Sequence, residues 1–296
     1  MPKFTKNESH IFGDKIMIRK AGTPVNAVAA LATLTLLGVV EHGETVTIGS
    51  DVYQVAADAE QTVDAGNIAV DVEASTTKST GTLTMDTNPT ATNTLTIGTT
   101  VYTFVAVPAV EGDVEIGDAV ADTQATLVAV INDGDALNDP HPLVTAGDFN
   151  ASDECIITAK IGGTVGDDIA TTETFTAVTN VFAAVKLGSG ADCTGANFIT
   201  ALVLASADGT ELVTITDGTG DTAVVTADYK GTYPEAVITE TDIANATFDV
   251  AHLDGGVDGT IGTIQDLYVD GTNIYFCTAD NGIADANWKK LVYATA

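Results

Sequence analysis

The chain has 296 residues, with 41 acidic against 11 basic side chains and a formal net charge of −30. A body this acidic repels phosphate backbones, which excludes a nucleic-acid-binding surface as its main business. Hydrophobic residues make up 45%, enough for real cores, and no apolar run nears the 18 residues of a membrane-spanning helix.

Residues 1–24 read as an extended basic arm. Lys3, Lys6, Lys15, Arg19 and Lys20 are five of the 11 basic residues; against Glu8 and Asp14 the first 20 positions are +3 and the remainder −33. A short positive segment on an acidic body suggests a tether to an acidic neighbour. The opening MPKFTKNESHIFGDK lacks an apolar signal core, so no secretory signal is expected.

Residues 25–78 form a first β module. Its stretch TVTIGSDVYQV (45–55) returns 49 residues later as TLTIGTTVYTF (94–104), and Thr33-Leu34-Thr35-Leu36 returns at the same offset as Thr82-Leu83-Thr84-Met85. This is an internal duplication. Val46, Ile48, Tyr53 and Val55 alternate with polar neighbours, as do Leu95, Ile97, Tyr102 and Phe104, the period of a half-buried strand. Each copy predicts a hairpin. A turn centred on Ser50-Asp51 would pair Ile48 with Tyr53 and Val46 with Val55, with Gly49 beside it free to take positive φ. In this reading the first copy is truncated.

Residues 79–190 hold the second, longer copy. The segment 122–132 predicts its helix, with Leu127, Val130 and Ile131 on one face and Asp122 or Thr123 as cap. ECIITAKI (154–161) and TETFTAV (172–178) predict strands. Residues 191–250 read as an all-β third module, its segments FITALVLAS, ELVTIT, TAVVTADY and AVITE broken by Asp and Gly. Residues 251–296 form a C-terminal module in which Leu267-Tyr268-Val269, Asp270-Gly271 and Ile274-Tyr275-Phe276 make a hairpin, followed by a short strand at Trp288. The expected fold is mainly β: serial small sandwich or hairpin modules, one short helix and an extended arm.

Chemistry-bearing patterns are sparse. His10, His42, His141 and His252 are isolated, and Cys155, Cys193 and Cys277 are 38 and 84 residues apart. That spacing fits neither a zinc site nor a disulfide framework and suits synthesis in a reducing cytosol. There is no nucleophile elbow, P-loop or dinucleotide fingerprint. The acidic loops NDGDALND (132–139) and DGTGD (217–221) could supply some oxygen ligands to calcium, but neither matches an EF-hand, and turns explain them as well. Aromatics, at 6%, leave few platforms for a sugar-cleaving cleft. The expectation is no catalytic residue, metal or cofactor.

The second module as a whole carries a resemblance. TLTIGTTVYTFV, VEIGDAVADTQATLVAVIN, HPLVTAGDF and CIITAKIGGTVGDDIATTETF follow one another in it, with Gly163-Thr164-Val165-Gly166-Asp167-Asp168-Ile169 as a Gly-rich turn. This series resembles a β module recurrent in virion structural proteins of tailed bacteriophages, with Asp where Asn is common in the turn. The ending DLYVDGTNIYFCTADNGIADANWKKLVY resembles those of phage head and tail accessory proteins. The resemblance implies a non-enzymatic virion protein made in the host cytoplasm. Together with the charge pattern it favours a decoration or cement protein on the outer capsid surface. Its partners would be the major capsid protein and copies of itself, a trimer among the options, with neither nucleic acid nor membrane. Lys3, Lys6, Lys15, Arg19 and Lys20 would dock it. The alternatives are a tail tube or tail fibre component, a bacterial surface-layer or filament subunit, or a hydrolase on a β scaffold.

Overall fold

The structure is a computed structural model. It describes residues 27–133, 135–232 and 237–259, together with the strand backbones at 9–12, 15–21, 267–269, 274–277 and 288–291.

In chain order, β1 (Ser9–Phe12) and β2 (Lys15–Ala21) are followed by β3 (Ala29–Leu36), β4 (Val39–Val40), β5 (Thr45–Ile48), β6 (Asp51–Ala56) and β7 (Ile68–Asp71). Next come β8 (Lys78–Thr84), β9 (Thr94–Ile97), β10 (Thr100–Val105), β11 (Asp113–Glu115) and helix α1 (Val120–Asn132). After the helix lie β12 (Val144–Ala146), β13 (Glu154–Gly162), β14 (Thr171–Glu173) and β15 (Val181–Phe182). The chain continues through β16 (Cys193–Thr194), helix α2 (Gly195–Ala205), β17 (Val213–Asp217), β18 (Thr222–Lys230), β19 (Thr239–Thr241) and β20 (Ala246–Phe248). It ends with β21 (Leu267–Val269), β22 (Ile274–Cys277) and β23 (Trp288–Leu291). The fold is mainly β, in several small sheets.

These strands make two sandwiches of one topology, and the second lies inside the first. In the outer sandwich the sheets run β17-β18-β3-β20 and β19-β5-β6-β7; in the inserted one they run β12-β13-β8-β15 and β14-β9-β10-β11. Each order maps onto the other strand for strand. Each sandwich has a hairpin whose second strand pairs in parallel with the next, β6 with β7 and β10 with β11. Each has one helix, α2 packed against β7 and β17, α1 against β11 and β12. The inserted unit departs from the outer one between β7 and α2 and returns to it at β16.

The equivalence reaches single hydrogen bonds. Thr239 Oγ1 donates to the Val250 carbonyl at 2.7 Å, and Thr171 Oγ1 to the Ala184 carbonyl at 2.7 Å. Gly49 N–H donates to Ile238 O at 2.8 Å, and Gly98 N–H to Ala170 O at 2.8 Å. The bridge Leu31–Asp254 matches Thr80–Gly188, and Val28–Val257 matches Thr77–Ala191. A register shift in β18 between Thr226 and Lys230 matches one in β13 between Thr158 and Gly162. So the duplication seen in the first half of the sequence covers both sandwiches from end to end.

The cause is a shared apolar pattern. Leu34, Val46, Ile48, Tyr53, Val55 and Val70 are buried in one core; Leu83, Leu95, Ile97, Tyr102, Phe104 and Val114 occupy the same strand positions in the other. Alternation with period 2 sends each set to one face. The helices close the cores with Phe198, Ile199 and Leu202, and with Leu127, Val130 and Ile131.

Several expectations need correction. The first module is not truncated, and 191–250 is not a separate module: one core joins Ala30–Val72 to Cys193–Leu253. Half a sandwich leaves an apolar face bare, and 191–259 supply its cover. FITALVLAS is not a strand but most of α2, capped by Thr194 Oγ1, which accepts the Asn197 N–H. A short, mainly apolar run satisfies both periods. Helix α1 follows Ala119, whose N–H donates to Asp122 Oδ2 at 3.1 Å, so neither Asp122 nor Thr123 is the cap residue itself. The hairpins turn on Gly49-Ser50 and Gly98-Thr99, pairing Ile48 with Asp51 and Val46 with Tyr53, and Ile97 with Thr100 and Leu95 with Tyr102. Gly49 and Gly98 stand at φ 62° and 60°, inside the turn, where a two-residue hairpin needs left-handed backbone. The faces stay as expected because the slip preserves parity. Of TETFTAV only Thr172 and Glu173 are strand, the end of β14.

The terminal segments form a third unit. β1 pairs with β2, β2 runs parallel to β21, and β21, β22 and β23 follow in antiparallel order. The expected C-terminal hairpin is present, with Val269 opposite Ile274. The arm is extended as β strands at Ser9–Phe12 and Lys15–Ala21, and there its backbone is paired rather than free. The cause is the unfilled edge of β21, which an adjacent extended segment satisfies.

Candidate interaction surface

Of the expected docking residues, Lys3 and Lys6 lie outside the described residues. Lys15, Arg19 and Lys20 lie on β2. The register places Arg19 opposite Leu267 and Lys20 opposite Tyr268, while on the far strand Lys289 is opposite Phe276 and Lys290 opposite Tyr275. Since Leu267 pairs with Phe276 and Tyr268 with Tyr275, Arg19 and Lys289 share one row across the sheet, and Lys20 and Lys290 share the next. Sequence reasoning missed Lys289 and Lys290; the dibasic pair in ANWKKLVY was the available signal. The segments 1–21 and 289–290 hold seven of the 11 basic residues. Residues 27–259 hold only Lys78, Lys160, Lys186 and Lys230, of which Lys78 pairs with Glu73 at 2.8 Å and Lys186 with Asp168 at 3.5 Å.

Many carboxylates of the sandwiches act as acceptors that close loops. Asp51 accepts the N–H groups of Thr210 at 2.6 Å and Glu211 at 2.8 Å, and the Thr210 hydroxyl at 2.7 Å. Burial alone would raise its pKa; these donors outweigh that and hold it below the usual value. Asp167 accepts Ser79 Oγ at 2.7 Å and Gly190 N–H at 2.9 Å. In the acidic loop 132–139, Asp135 Oδ1 accepts the N–H groups of Leu137 at 2.7 Å and Asn138 at 2.8 Å, which makes it a turn former. Among the described residues no three His, Cys, Asp or Glu side chains are grouped so as to hold a metal ion.

The two cysteines among the fully described residues, Cys155 and Cys193, are buried. Burial pushes the Cys155 thiol up to about 12 and the Cys193 thiol up to about 11, far from the lowered values of reactive cysteines. His141 is buried with all its ring nitrogens engaged: Nδ1 accepts Leu143 and Val144 N–H at 3.1 Å each, which leaves Nε2 to donate to Ile97 O at 3.2 Å. It is a core histidine, holding the approach to β12 against the β9 hairpin. Neither arrangement offers a base beside a nucleophile.

Comparison with protein-family models, with curated proteins and with solved structures returned no match for this chain.

Proposed function

We propose that the protein is a structural, non-enzymatic subunit of a tailed-phage particle. It decorates the outer capsid surface, contacts the major capsid protein and copies of itself, and docks through its terminal sheet. The observation that carries this reading is the separation of charge along the fold: seven of the 11 basic residues fall in the terminal segments, while 27–259 hold four lysines in a chain of net charge −30. Such an arrangement orients a subunit over a negatively charged shell and keeps its sandwiches exposed and soluble. The resemblance of residues 94–175 and 266–293 to phage virion modules supports the same assignment.

Removing residues 1–20 would also strip β2 from β21, so charge reversal is the cleaner test. A variant with Lys15, Arg19, Lys20, Lys289 and Lys290 changed to Glu should lose co-sedimentation with emptied capsids while its sandwiches stay folded by circular dichroism. Wild-type binding should weaken as salt is raised, as for screened surface charge. Capsid binding unaffected by charge reversal and salt would overturn the docking assignment. Polymerisation of the isolated protein into tubes would favour the tail-tube alternative.

A further inference from the structure

The shared topology allows the two sandwiches to be compared at one spot: the tip of the hairpin and the loop after the helix. In the outer sandwich the spot is shut. Asp51 draws Thr210 and Glu211 onto the hairpin, and Glu211 in turn accepts Ser50 N–H at 2.8 Å and Ser50 Oγ at 2.9 Å. Gly209 sits so close to Tyr53 that a Cβ there would lie 2.3 Å from the Tyr53 hydroxyl.

In the inserted sandwich Thr100 stands where Asp51 would be and Tyr102 where Tyr53 is. The loop after α1 is longer and is tied elsewhere. Asn138 Oδ1 accepts Gly112 N–H at 2.7 Å, and Asn138 Nδ2 donates to Asp113 O at 3.2 Å. This leaves a cavity of about 320 Å³, lined by Thr99, Thr100, Tyr102, Glu111 and Asp139 among others. Tyr102 is 2% exposed. Its hydroxyl is the one buried side-chain polar atom among the described residues that lacks a hydrogen-bond partner. A buried hydroxyl left alone forfeits its hydration without return, so an orphan of this kind calls for a partner.

The walls define that partner. Glu111 and Asp139 carry negative charge and Thr99 and Thr100 carry hydroxyls; no basic residue lines the cavity. An anion is repelled. Two carboxylates fall short of the six to eight oxygens, about, that calcium gathers. The exposed side chain of Val101 provides an apolar flank, and Tyr102, the one aromatic residue of the lining, is too buried to offer its ring face. A compact group with several N–H donors and one positive charge, on a short alkyl stem, satisfies all of these walls together.

We propose that this cavity binds a primary alkylammonium group, with Glu111 and Asp139 as counter-charges and the Tyr102 hydroxyl as an acceptor. The ammonium can come from a small free amine or from a lysine side chain of a protein partner. The site is confined to the inserted sandwich, because Asp51 and the short loop fill its counterpart in the outer one. It stands independently of the capsid-decoration reading.

The test uses the full chain with tyrosine ring resonances observed by NMR. n-Butylamine, putrescine and a capped Ala-Lys-Ala peptide are titrated in separate arms at low salt, with glucose and calcium chloride as comparators. An amine arm should shift Tyr102 saturably and leave Tyr53 unmoved. Tighter binding of the free amines marks a small-molecule site; tighter binding of the peptide marks a protein contact. Glu111→Gln, Asp139→Asn and Tyr102→Phe should each weaken binding about tenfold, and Tyr53→Phe should leave it unchanged. Tyr102→Phe removes only an unpartnered hydroxyl, so it should be as stable as wild type. The proposal fails if no amine binds saturably, if calcium or glucose takes the site with the same residue dependence, or if Tyr102→Phe binds like wild type.

Discussion

Asp192 holds Thr164 twice, accepting its backbone N–H at 2.7 Å and its hydroxyl at 2.8 Å. Asp258 holds Thr232 in the same way in the outer sandwich, through the N–H at 2.8 Å and the hydroxyl at 3.2 Å. Each clamp lies where a sandwich's last segment returns beside its first, and each adjoins a glycine of positive φ, Gly163 at 97° and Gly231 at 110°. A side chain at either glycine would meet the clamping carboxylate, at 2.3 Å from Asp192 Oδ1 and 2.6 Å from Asp258 Oδ1. Asp192→Ala should therefore lower the stability of the inserted sandwich by about 1–2 kcal/mol, and Asp258→Ala should do the same to the outer one. Asp192→Asn, which keeps an acceptor, should cost less. Urea denaturation of the three variants measures this; no loss in Asp192→Ala would show the clamp to be incidental.

The neck between the sandwiches is a two-way backbone pair. Thr77 N–H donates to Ala191 O at 2.8 Å and Ala191 N–H to Thr77 O at 3.0 Å. Because the ends are already adjacent and the core of the insert is its own, a fragment of residues 77–192 should fold alone, with a dispersed amide spectrum and cooperative unfolding. The outer sandwich, with residues 77–191 replaced by a short glycine turn, should also fold but less stably. It loses the bond from Gly162 N–H to Ala57 O at 2.7 Å and the packing of Ile161. An unfolded 77–192 fragment would contradict the nested arrangement.

Gly49 and Gly98 occupy equivalent turns at nearly equal φ, so the two positions separate backbone strain from crowding. At Gly98 a Cβ would meet nothing nearer than Leu143 Cδ1 at 3.4 Å; at Gly49 it would fall 2.3 Å from the Glu211 carboxyl carbon. Gly98→Ala should cost about 1 kcal/mol, the left-handed penalty alone. Gly49→Ala should cost about 2–3 kcal/mol, since Glu211 must also leave Ser50. Equal losses on thermal or urea unfolding would refute the crowding argument.

His141 makes stability depend on pH. Burial is the largest influence on it and lowers its pKa from 6.5; Ile97 O opposes that and Lys160 adds to it. A proton on Nδ1 would also face the two N–H groups that it accepts. With the folded pKa depressed, the unfolded chain binds the extra proton first. The stabilisation is complete above 6.5 and is lost as pH falls through the folded value. Unfolding midpoints should drop between pH 7 and pH 5, above the range in which carboxylates titrate. In His141→Gln the slope over that window should flatten, and an unchanged slope would assign the effect elsewhere.

Much of this architecture is written locally. The alternation around Tyr53 and Tyr102 marked the inward faces, the 49-residue offset marked the duplication, and Leu127, Val130 and Ile131 marked the face of α1. Where local patterns are ambiguous the reading failed: the apolar run at 198–206 fits strand and helix alike, and only its place above β7 and β17 makes it α2. The basic residues of the arm were visible by composition, but Lys289 and Lys290 join them only because β2 and β23 belong to one sheet. The Tyr102 cavity left no trace in the sequence, because it depends on what the loop after α1 does not cover.

The amino-acid sequence by itself determined which residues face inward, where the hairpins turn within a residue or so, and that one pattern occurs twice. Tertiary structure alone decided that residues 191–259 complete the sandwich begun at 27–75, around an inserted second copy. The reason is physical: an apolar strand face demands a partner, but backbone N–H and C=O groups are the same along every strand. The choice among distant partners is therefore made by the closing of two whole cores, not by any local stretch of chain.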